Sequence, residues 1–296
     1  LYLNDRFNMV RLSSTRELCL SEKKSFIDNV YLYGGLDYDN MKNEKQTYNT
    51  ETTRLTRSVV DSIVSRGGFE ALVGSKEEIE QVNNEMLSKG IKCHSFTGSD
   101  GTETSFMNLS GKRINIIHLS THGMYVPIND TVRNENIYKF VIFDNTAKID
   151  KEDQALSHSF LVMSGGNTLL HDDNRLNEID DGILTALEVS HLDFSSLDLV
   201  VLSACQTALG SIDSDGVYGL QRGFKKAGAH TILMSLDKVD DEATKILMVE
   251  FYKNLVSGKT KHQSLKDAQK YLRQVDNGKY DKPEYWASFI MLDGLN

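Results

Sequence analysis

The chain has 296 residues, 40% of them hydrophobic, enough to bury a sizeable core in one large α/β domain or in a domain with an appendage. A formal net charge of −9 and a pI near 5.4 argue against a nucleic-acid-binding face, because phosphate neutralisation needs clustered Lys and Arg, and no such cluster occurs. Three scattered cysteines, Cys19, Cys93 and Cys205, make no disulfide framework and point to a reducing cytoplasm, and no apolar run approaches the roughly 18 residues that span a bilayer.

The amino terminus, Leu1-Tyr-Leu-Asn-Asp-Arg6, lacks the shape of a secretory signal, and a first residue of Leu rather than Met is the expectation for a fragment of something longer. Residues 1–24 place Leu3, Phe7 and Val10, then Leu18 and Leu20, at spacings compatible with helix. We read 1–28 as an N-terminal segment, the end of a preceding helical or sensor region, and 29–296 as the domain proper. A first strand is expected over 26–33, stopped by Gly34-Gly35. Residues 36–53 are polar without apolar period and read as a solvated loop. Leu55, Val59, Ile63 and Val64 then predict a short helix.

From Phe69 the pattern alternates. An extended stretch over 69–73 leads to a capping box from Ser75 to Glu78 and a helix carried by Ile79, Val82 and Met86, ended by Gly90. A strand over 91–96, a short helix over 99–109 and a strand through Ile114, Ile116, Ile117 and Leu119 follow, the signature of right-handed parallel crossovers. Then come a polar loop, a strand over 138–143 and an apolar stretch over 160–163. Residues 165–181 are acidic and read as an accessible solvated linker; a calcium loop would need a loop glycine and terminal Glu that are missing. Four consecutive aliphatics, Leu199 to Leu202, make a strand covered on both faces. A helix over 216–227, a strand over 231–234, amphipathic helices over 242–255 and 263–273 and a closing strand over 289–292 complete an α/β chain with a mostly parallel sheet.

Two of these strands end in reactive residues. One breaks into Ser203-Ala-Cys205 and the other into Ser120-Thr-His-Gly123, and the C-terminal edge of a parallel sheet is where ligands bind. A lone buried Cys is more often an inert hydrophobe, but an imidazole across the same edge can take the thiol proton or stabilise the thiolate. Gly123, without a Cβ, lets its N–H approach an oxyanion. His118 and His122 resemble an i,i+4 zinc pair, yet four strand residues span about 13 Å, too far for one ion. Cys93 reads as core and Cys19 as structural or incidental. His94, His158, His171, His191, His230 and His262 have no partner motif and read as satisfied or solvated. Gly-x-Ser-x-Gly, Gly-x-Gly-x-x-Gly and P-loop patterns are absent, which argues against serine hydrolase, dinucleotide and nucleotide readings.

At these motifs the chain resembles the CHAT domains (caspase, HetF associated with TPRs) of the caspase, separase and gingipain clan of cysteine peptidases. The resemblance rests on His118-Leu-Ser-Thr-His-Gly123, Leu202-Ser-Ala-Cys-Gln-Thr-Ala-Leu-Gly210, Gly216-Val-Tyr-Gly-Leu-Gln-Arg-Gly-Phe224 and Ser235-Leu-Asp-Lys-Val-Asp-Asp-Glu-Ala-Thr244. Weaker matches are Val73-Gly-Ser-Lys-Glu-Glu-Ile79, Leu161-Val-Met-Ser-Gly-Gly166 and Asp181-Gly-Ile-Leu-Thr-Ala-Leu-Glu188, so the likeness covers 69–292 in the family's order. It departs at Asp237, where the family usually has Trp. The resemblance implies a caspase-like three-layer α/β/α sandwich and a cysteine endopeptidase acting on a protein or peptide. It also implies Cys205 as nucleophile, His122 as general base and acid, and the N–H groups of Gly123 and Cys205 as the oxyanion hole. It implies neither metal nor organic cofactor, and a sensor or TPR-type region as regulatory partner, with no nucleic acid or membrane. Asp237, Asp240 and Asp241, just past the strand over 231–234, resemble a separase segment that contacts a basic substrate residue; the last two also suit a helix N-terminus whatever the substrate. The alternatives are a catalytically silent caspase-like interaction module and a Cys-dependent acyl transferase or hydrolase of small molecules.

Overall fold

The computed structural model describes residues 2–7, 9–19, 27–42, 57–127, 151–170, 180–203, 210–213, 216–236 and 239–294. In chain order the elements are α1 (Leu3–Arg6), a 3₁₀ turn (Thr15–Cys19), β1 (Asn29–Leu36), α2 (Arg57–Arg66), α3 (Val73–Ser88), β2 (Lys92–Gly98), α4 (Glu103–Met107), β3 (Ile116–Ser120) and β4 (Gly123–Tyr125). Then follow α5 (Lys151–Leu156), β5 (Ser159–Val162), β6 (Ile183–Thr185), α6 (Ala186–Ser190), β7 (Leu199–Leu202), β8 (Gly210–Asp213) and β9 (Gly216–Gly219). The chain closes with α7 (Leu220–Ala227), β10 (Thr231–Ser235), α8 (Asp241–Val256), α9 (Lys261–Leu272), α10 (Pro283–Trp286) and β11 (Phe289–Leu292).

Six strands form the central sheet in the order β11-β10-β7-β3-β1-β2, parallel throughout except for β11, which runs antiparallel along the β10 edge. Every residue of β3, β7 and β10 is buried, as a sheet covered on both faces requires. Alternation divides their side chains between two cores. Val200 and Leu202 join Phe106 of α4, Ala186 of α6 and Phe224 of α7 on one face. Leu199 and Val201 join Ile79 and Val82 of α3, Leu247 and Phe251 of α8 and Leu265 of α9 on the other. The architecture is therefore the three-layer α/β/α sandwich with a mostly parallel sheet that the sequence led us to expect.

Several local expectations are corrected. The first strand is not stopped by Gly34-Gly35 but runs through them to Leu36. A Cβ on Gly34 would stand 2.8 Å from the Ser75 carbonyl oxygen and 2.9 Å from Ile79, so α3 lies against the strand where only glycine fits, and Gly35 takes φ +60 beside a register shift against β2. Ser75 and Glu78 form no capping box. The helix starts at Val73, Ser75 Oγ accepts from Gly35 N at 2.8 Å and donates to the Leu72 carbonyl at 2.9 Å, and Glu78 points to β3. The stretch over 160–163 is outside the central sheet: β4, β5 and β6 make a separate antiparallel sheet, because the chain turns away from β3 at Thr121-His122 and pairs Gly123 with Leu161. The expected helix from Gly216 begins only at Leu220; the four residues before it pair with β8 as a hairpin.

The polar segments are less solvated than they read. Tyr38, within the supposed loop over 36–53, is buried, and its hydroxyl lies 3.0 Å from Thr121 Oγ1. Residues 165–168 begin the acidic stretch as a tight turn in which Asn167 N donates to the Tyr38 carbonyl while its side chain bridges Phe69 N and O. Polar residues whose hydrogen bonds are met inside the protein can be buried, which composition does not show. The strand expected over 138–143, the middle of the acidic stretch at 171–179 and residues 43–56 lie outside the described residues. Among the described residues of the amino terminus, helix is confined to α1 and the 3₁₀ turn. Arg11 bridges Leu292 in parallel, and Asp293 accepts from Ser13 N at 2.7 Å and Ser13 Oγ at 2.6 Å, so the segment extends the β11 edge.

Glu103 on α4 and Asp181 beside β6 are carboxyls inside the protein, and Glu103 Oε2 accepts from Gly182 N at 2.7 Å. Burial first, then the neighbouring Asp181, Glu188 and Asp180, pushes the Glu103 carboxyl well above the usual range; burial and Glu188 do the same to Asp181. A carboxyl that holds its proton more tightly when folded contributes stability that is complete at acid pH and is lost as pH rises through its folded pKa. Glu103→Gln keeps an acceptor for the Gly182 N–H and removes the charge. We expect it to raise the melting temperature near neutral pH and to leave it little changed at about pH 4, where the carboxyl is already protonated. Equal melting shifts at both pH values would mean that the buried charge is not what the substitution relieves.

Candidate active site

His122 sits where β3 ends. The chain there is tied to Val162 of β5: Thr121 Oγ1 donates to the Val162 carbonyl at 2.5 Å, and Val162 N donates to the His122 carbonyl at 2.9 Å. The half-buried imidazole lies against the rings of Tyr38, 5.1 Å away, and Phe69, 5.5 Å away, which also touch each other. Its Nε2 is 2.7 Å from the Glu70 carbonyl oxygen. A carbonyl only accepts, so Nε2 carries the hydrogen and Nδ1 keeps its lone pair. Burial lowers the pKa of the ring below its ordinary value, the Glu70 carbonyl bond and the Asp241 charge push it back up, and Arg66 lowers it further. The outcome is an imidazole that is neutral at physiological pH with one nitrogen ready to accept a proton.

Gly123 is buried and opens β4 directly after His122, paired with Leu161. Cys205 lies outside the described residues, but the strand that leads to it does not. β7 pairs with β3 through Leu202 and Leu119, and Ser203 N donates to the Leu119 carbonyl at 2.9 Å, carrying the ladder one residue past β7 on the side where His122 emerges. Asp237 is also outside the described residues. Asp240 is the N-cap of α8, where its carboxylate accepts from Ala243 N at 2.9 Å, which commits it to the helix. Asp241 opens α8 beside Gly74, on which a Cβ would stand 3.4 Å from the Asp241 Cβ, and its charge is felt at His122. The structure thus brings together His122, Gly123 and Asp241 and diverts Asp240 to capping.

Sequence reasoning missed the Glu70 carbonyl, the Tyr38 and Phe69 rings, and a carboxylate–imidazole pair under the site, Glu78 with His118, 2.8 Å apart. A main-chain oxygen leaves no trace in residue identity. Glu78 did leave one: it lies on the buried stripe of α3 with Ser75, Ile79, Val82 and Met86, where a charge is out of place. His118 is fully enclosed, while His122 is at the strand end. Among the other histidines, His158 bonds the Val126 carbonyl and His262 the Asp293 carbonyl, both at 2.9 Å. Burial pushes the Cys93 thiol up to about 11, which makes it a poor nucleophile. Among the described residues no group of three or more His, Cys, Asp or Glu is placed to hold a metal ion, and no helix is long and apolar enough to cross a membrane.

Comparison with known proteins agrees with the motifs. Tetratricopeptide repeat protein 28 of Homo sapiens is 22% identical over 302 residues, which cover 98% of this chain and 11% of that protein. Its Mus musculus counterpart of the same name is 34% identical over 110 residues, 37% of this chain and 4% of that protein. The chain therefore matches only a small part of the length of these relatives. Among solved structures, the Arg-specific cysteine proteinase gingipain R aligns over 90% of this chain and 46% of its own at 8% identity, with a TM-score of 0.43. The family model of the CHAT domain matches residues 2–294, spanning β3, β7, β10 and the helices that cover them, and the chain belongs to the CHAT domain family.

Proposed function

We propose that this CHAT domain is a cysteine endopeptidase acting through a Cys205/His122 dyad on a protein or peptide substrate. The observation that carries the reading is the state of His122: an imidazole kept neutral by burial, its Nε2 hydrogen tied to Glu70, its Nδ1 lone pair unclaimed by that bond, beside the strand that runs on to Cys205. Nδ1 takes the thiol proton as Sγ attacks the substrate carbonyl carbon, and the N–H groups of Gly123 and Cys205 hold the oxyanion. The imidazolium then gives that proton to the leaving amine. Water, deprotonated by the same nitrogen, releases the acyl group and restores the thiol. The chemistry takes no cofactor. Residues 29–296 form the peptidase domain in this reading, and 1–28 join it to a regulatory region of the kind that the relatives' names denote; a free thiol nucleophile suits a reducing cytoplasm. Labelling with a panel of peptidyl acyloxymethyl ketones, with the modified residue located by mass spectrometry, tests it. Modification at Cys205 is expected, and modification only at Cys19 or Cys93, or none with any peptide, would overturn it.

The substrate residue before the scissile bond is expected to be Lys or Arg. Asp241 supports this, because its carboxylate is near enough to raise the His122 pKa and is not the helix cap. Asp237 belongs to the same acidic contact, and Asp240 contributes only through the field of its capping carboxylate. In a positional-scanning library, Asp241→Asn should lower the ratio of Lys or Arg to apolar cleavage by about tenfold. The ratio isolates the pocket, since any change at His122 affects both substrates alike. A preference for Asp, or a ratio indifferent to Asp241→Asn and Asp237→Asn, would leave these residues without a pocket role.

A further inference from the structure

Glu78 is an acid on the inward face of α3, 3% exposed, where a hydrophobe would pack without the cost of burying a carboxylate. Every contact it makes leads towards the catalytic histidine. Oε1 lies 2.8 Å from His118 Nε2, Oε2 accepts from Ser120 Oγ at 3.1 Å, and His118 Nδ1 lies 3.1 Å from the Tyr252 hydroxyl. His118 and Tyr252 are wholly enclosed, and Ser120 is 2% exposed. Three elements are joined by this array: α3, β3 and α8.

Each of the three carries a partner of His122. β3 ends at Ser120, and the chain reaches His122 two residues later. Glu70, whose carbonyl oxygen holds Nε2, stands just ahead of α3. Asp241, whose charge acts on the ring, is the first residue of α8. The first turns of α3 and α8 also touch, through Gly74 and Asp241. Helices held only by apolar packing could slide against the sheet by fractions of an ångström, whereas directional hydrogen bonds to a strand residue fix their register.

We propose that the Glu78–His118–Tyr252 array is the positioning device of the active site: by pinning α3 and α8 to β3 from inside the core, it sets where the Glu70 carbonyl and the Asp241 carboxylate stand relative to His122. The inference rests on the reading of His122 as the base. None of the three residues touches substrate, so they are positioning residues. Glu78→Gln keeps the shape of the side chain but replaces one acceptor oxygen by a donor and removes the charge, so the array closes only if the Ser120 hydroxyl turns to accept or the His118 ring changes tautomer, and its bonds weaken. Tyr252→Phe removes only the hydroxyl.

The test is the titration of the His122 ring, followed in the full chain by NMR of its Cε1–H group and assigned with His122→Gln. The charged groups acting on the ring are Asp241, Glu70 and Arg66. Loosening α3 and α8 weakens the Glu70 carbonyl bond and the Asp241 charge, both of which raise the pKa, while Tyr38 on the β1 side still buries the ring and Arg66 on α2 is unmoved. Glu78→Gln should therefore lower the His122 midpoint, and Tyr252→Phe should lower it less. Peptide turnover should fall in kcat by about tenfold with little change in KM, as expected when a base is misplaced but the substrate site is intact. The titration needs no substrate, so it separates this inference from the peptidase reading, which the labelling experiment decides. A folded Glu78→Gln variant that titrates at the wild-type midpoint would reduce the array to a structural one. If that variant fails to fold, Tyr252→Phe carries the test, and an unchanged midpoint in it overturns the proposal.

Discussion

Cys205→Ala is expected to leave no measurable peptide cleavage, and His122→Ala to retain less than about one part in 10³. The two losses have different origins. Without the thiol no acyl intermediate forms at all. Without the imidazole, the thiol at neutral pH is only slightly ionised and the leaving amine has no proton donor, so both halves of the reaction slow. His122→Ala also removes a ring packed against Tyr38 and Phe69, but the site is only half-buried, so a stability cost of about 1 kcal/mol is expected and the loss of activity cannot be ascribed to unfolding. Steady-state cleavage of a fluorogenic peptide, with thermal melting of the same samples, measures both. Residual turnover above roughly a few per cent in either variant would identify a different nucleophile or base. A wild-type protein inert to every peptide and label would return the chain to the alternative of a silent interaction module.

Phe106→Ala should produce the largest loss of stability for a single side chain far from the reacting groups. Phe106 is fully buried on α4 and lies at the centre of an aromatic cluster, with Tyr33 at 5.8 Å, Phe194 at 5.6 Å and Phe224 at 6.3 Å. These partners come from β1, the turn before β7 and α7, so the ring joins one helical layer to the sheet at several places. Truncation removes the transfer energy of the ring and leaves a void that fully packed neighbours fill only in part, about 3–5 kcal/mol. For a chain of this size that corresponds to a fall in melting temperature of about 10 °C. Leu87→Ala, at a side chain 53% exposed on α3, is the control and should shift it by little. A loss under about 1 kcal/mol at Phe106 would show that this layer collapses freely around the gap, contrary to a tightly packed core.

The elements legible from sequence were those whose own side chains specify them. Leu199 to Leu202 are aliphatic on both faces, which only a doubly covered strand accommodates, and β3 and β10 carry the same mark. The helices α8 and α9 repeat their buried residues at helical spacing and are capped by Asp240 and Thr260, so their starts fall within a residue or two of expectation. The misread places have the opposite property, in that their conformation answers to something distant in sequence. Gly34 and Gly35 looked like a stop because glycine usually is one; α3, some forty residues later, is what makes them strand residues. The short strands β4, β5 and β6 hold three or four residues each, too few for a period to show, and exist because they pair.

The same division runs through the candidate site. By itself the sequence determined that His122 and Cys205 each follow a buried strand, and that those motifs are the ones by which the family is known, because a run of apolar residues ending in small polar ones is a local pattern. Only the tertiary structure decided that β3 and β7 are neighbours and that Nε2 of His122 is held by a main-chain oxygen from the far side of α3. It alone assigned Asp240 to a helix cap while the charge of Asp241 acts on the imidazole, and put Glu78 under the site. The physical reason is that strand and helix propensity act over a few residues, whereas hydrogen-bond partners, electric fields and burial are set by whichever residues the packed layers bring within a few ångströms, however far apart they lie along the chain.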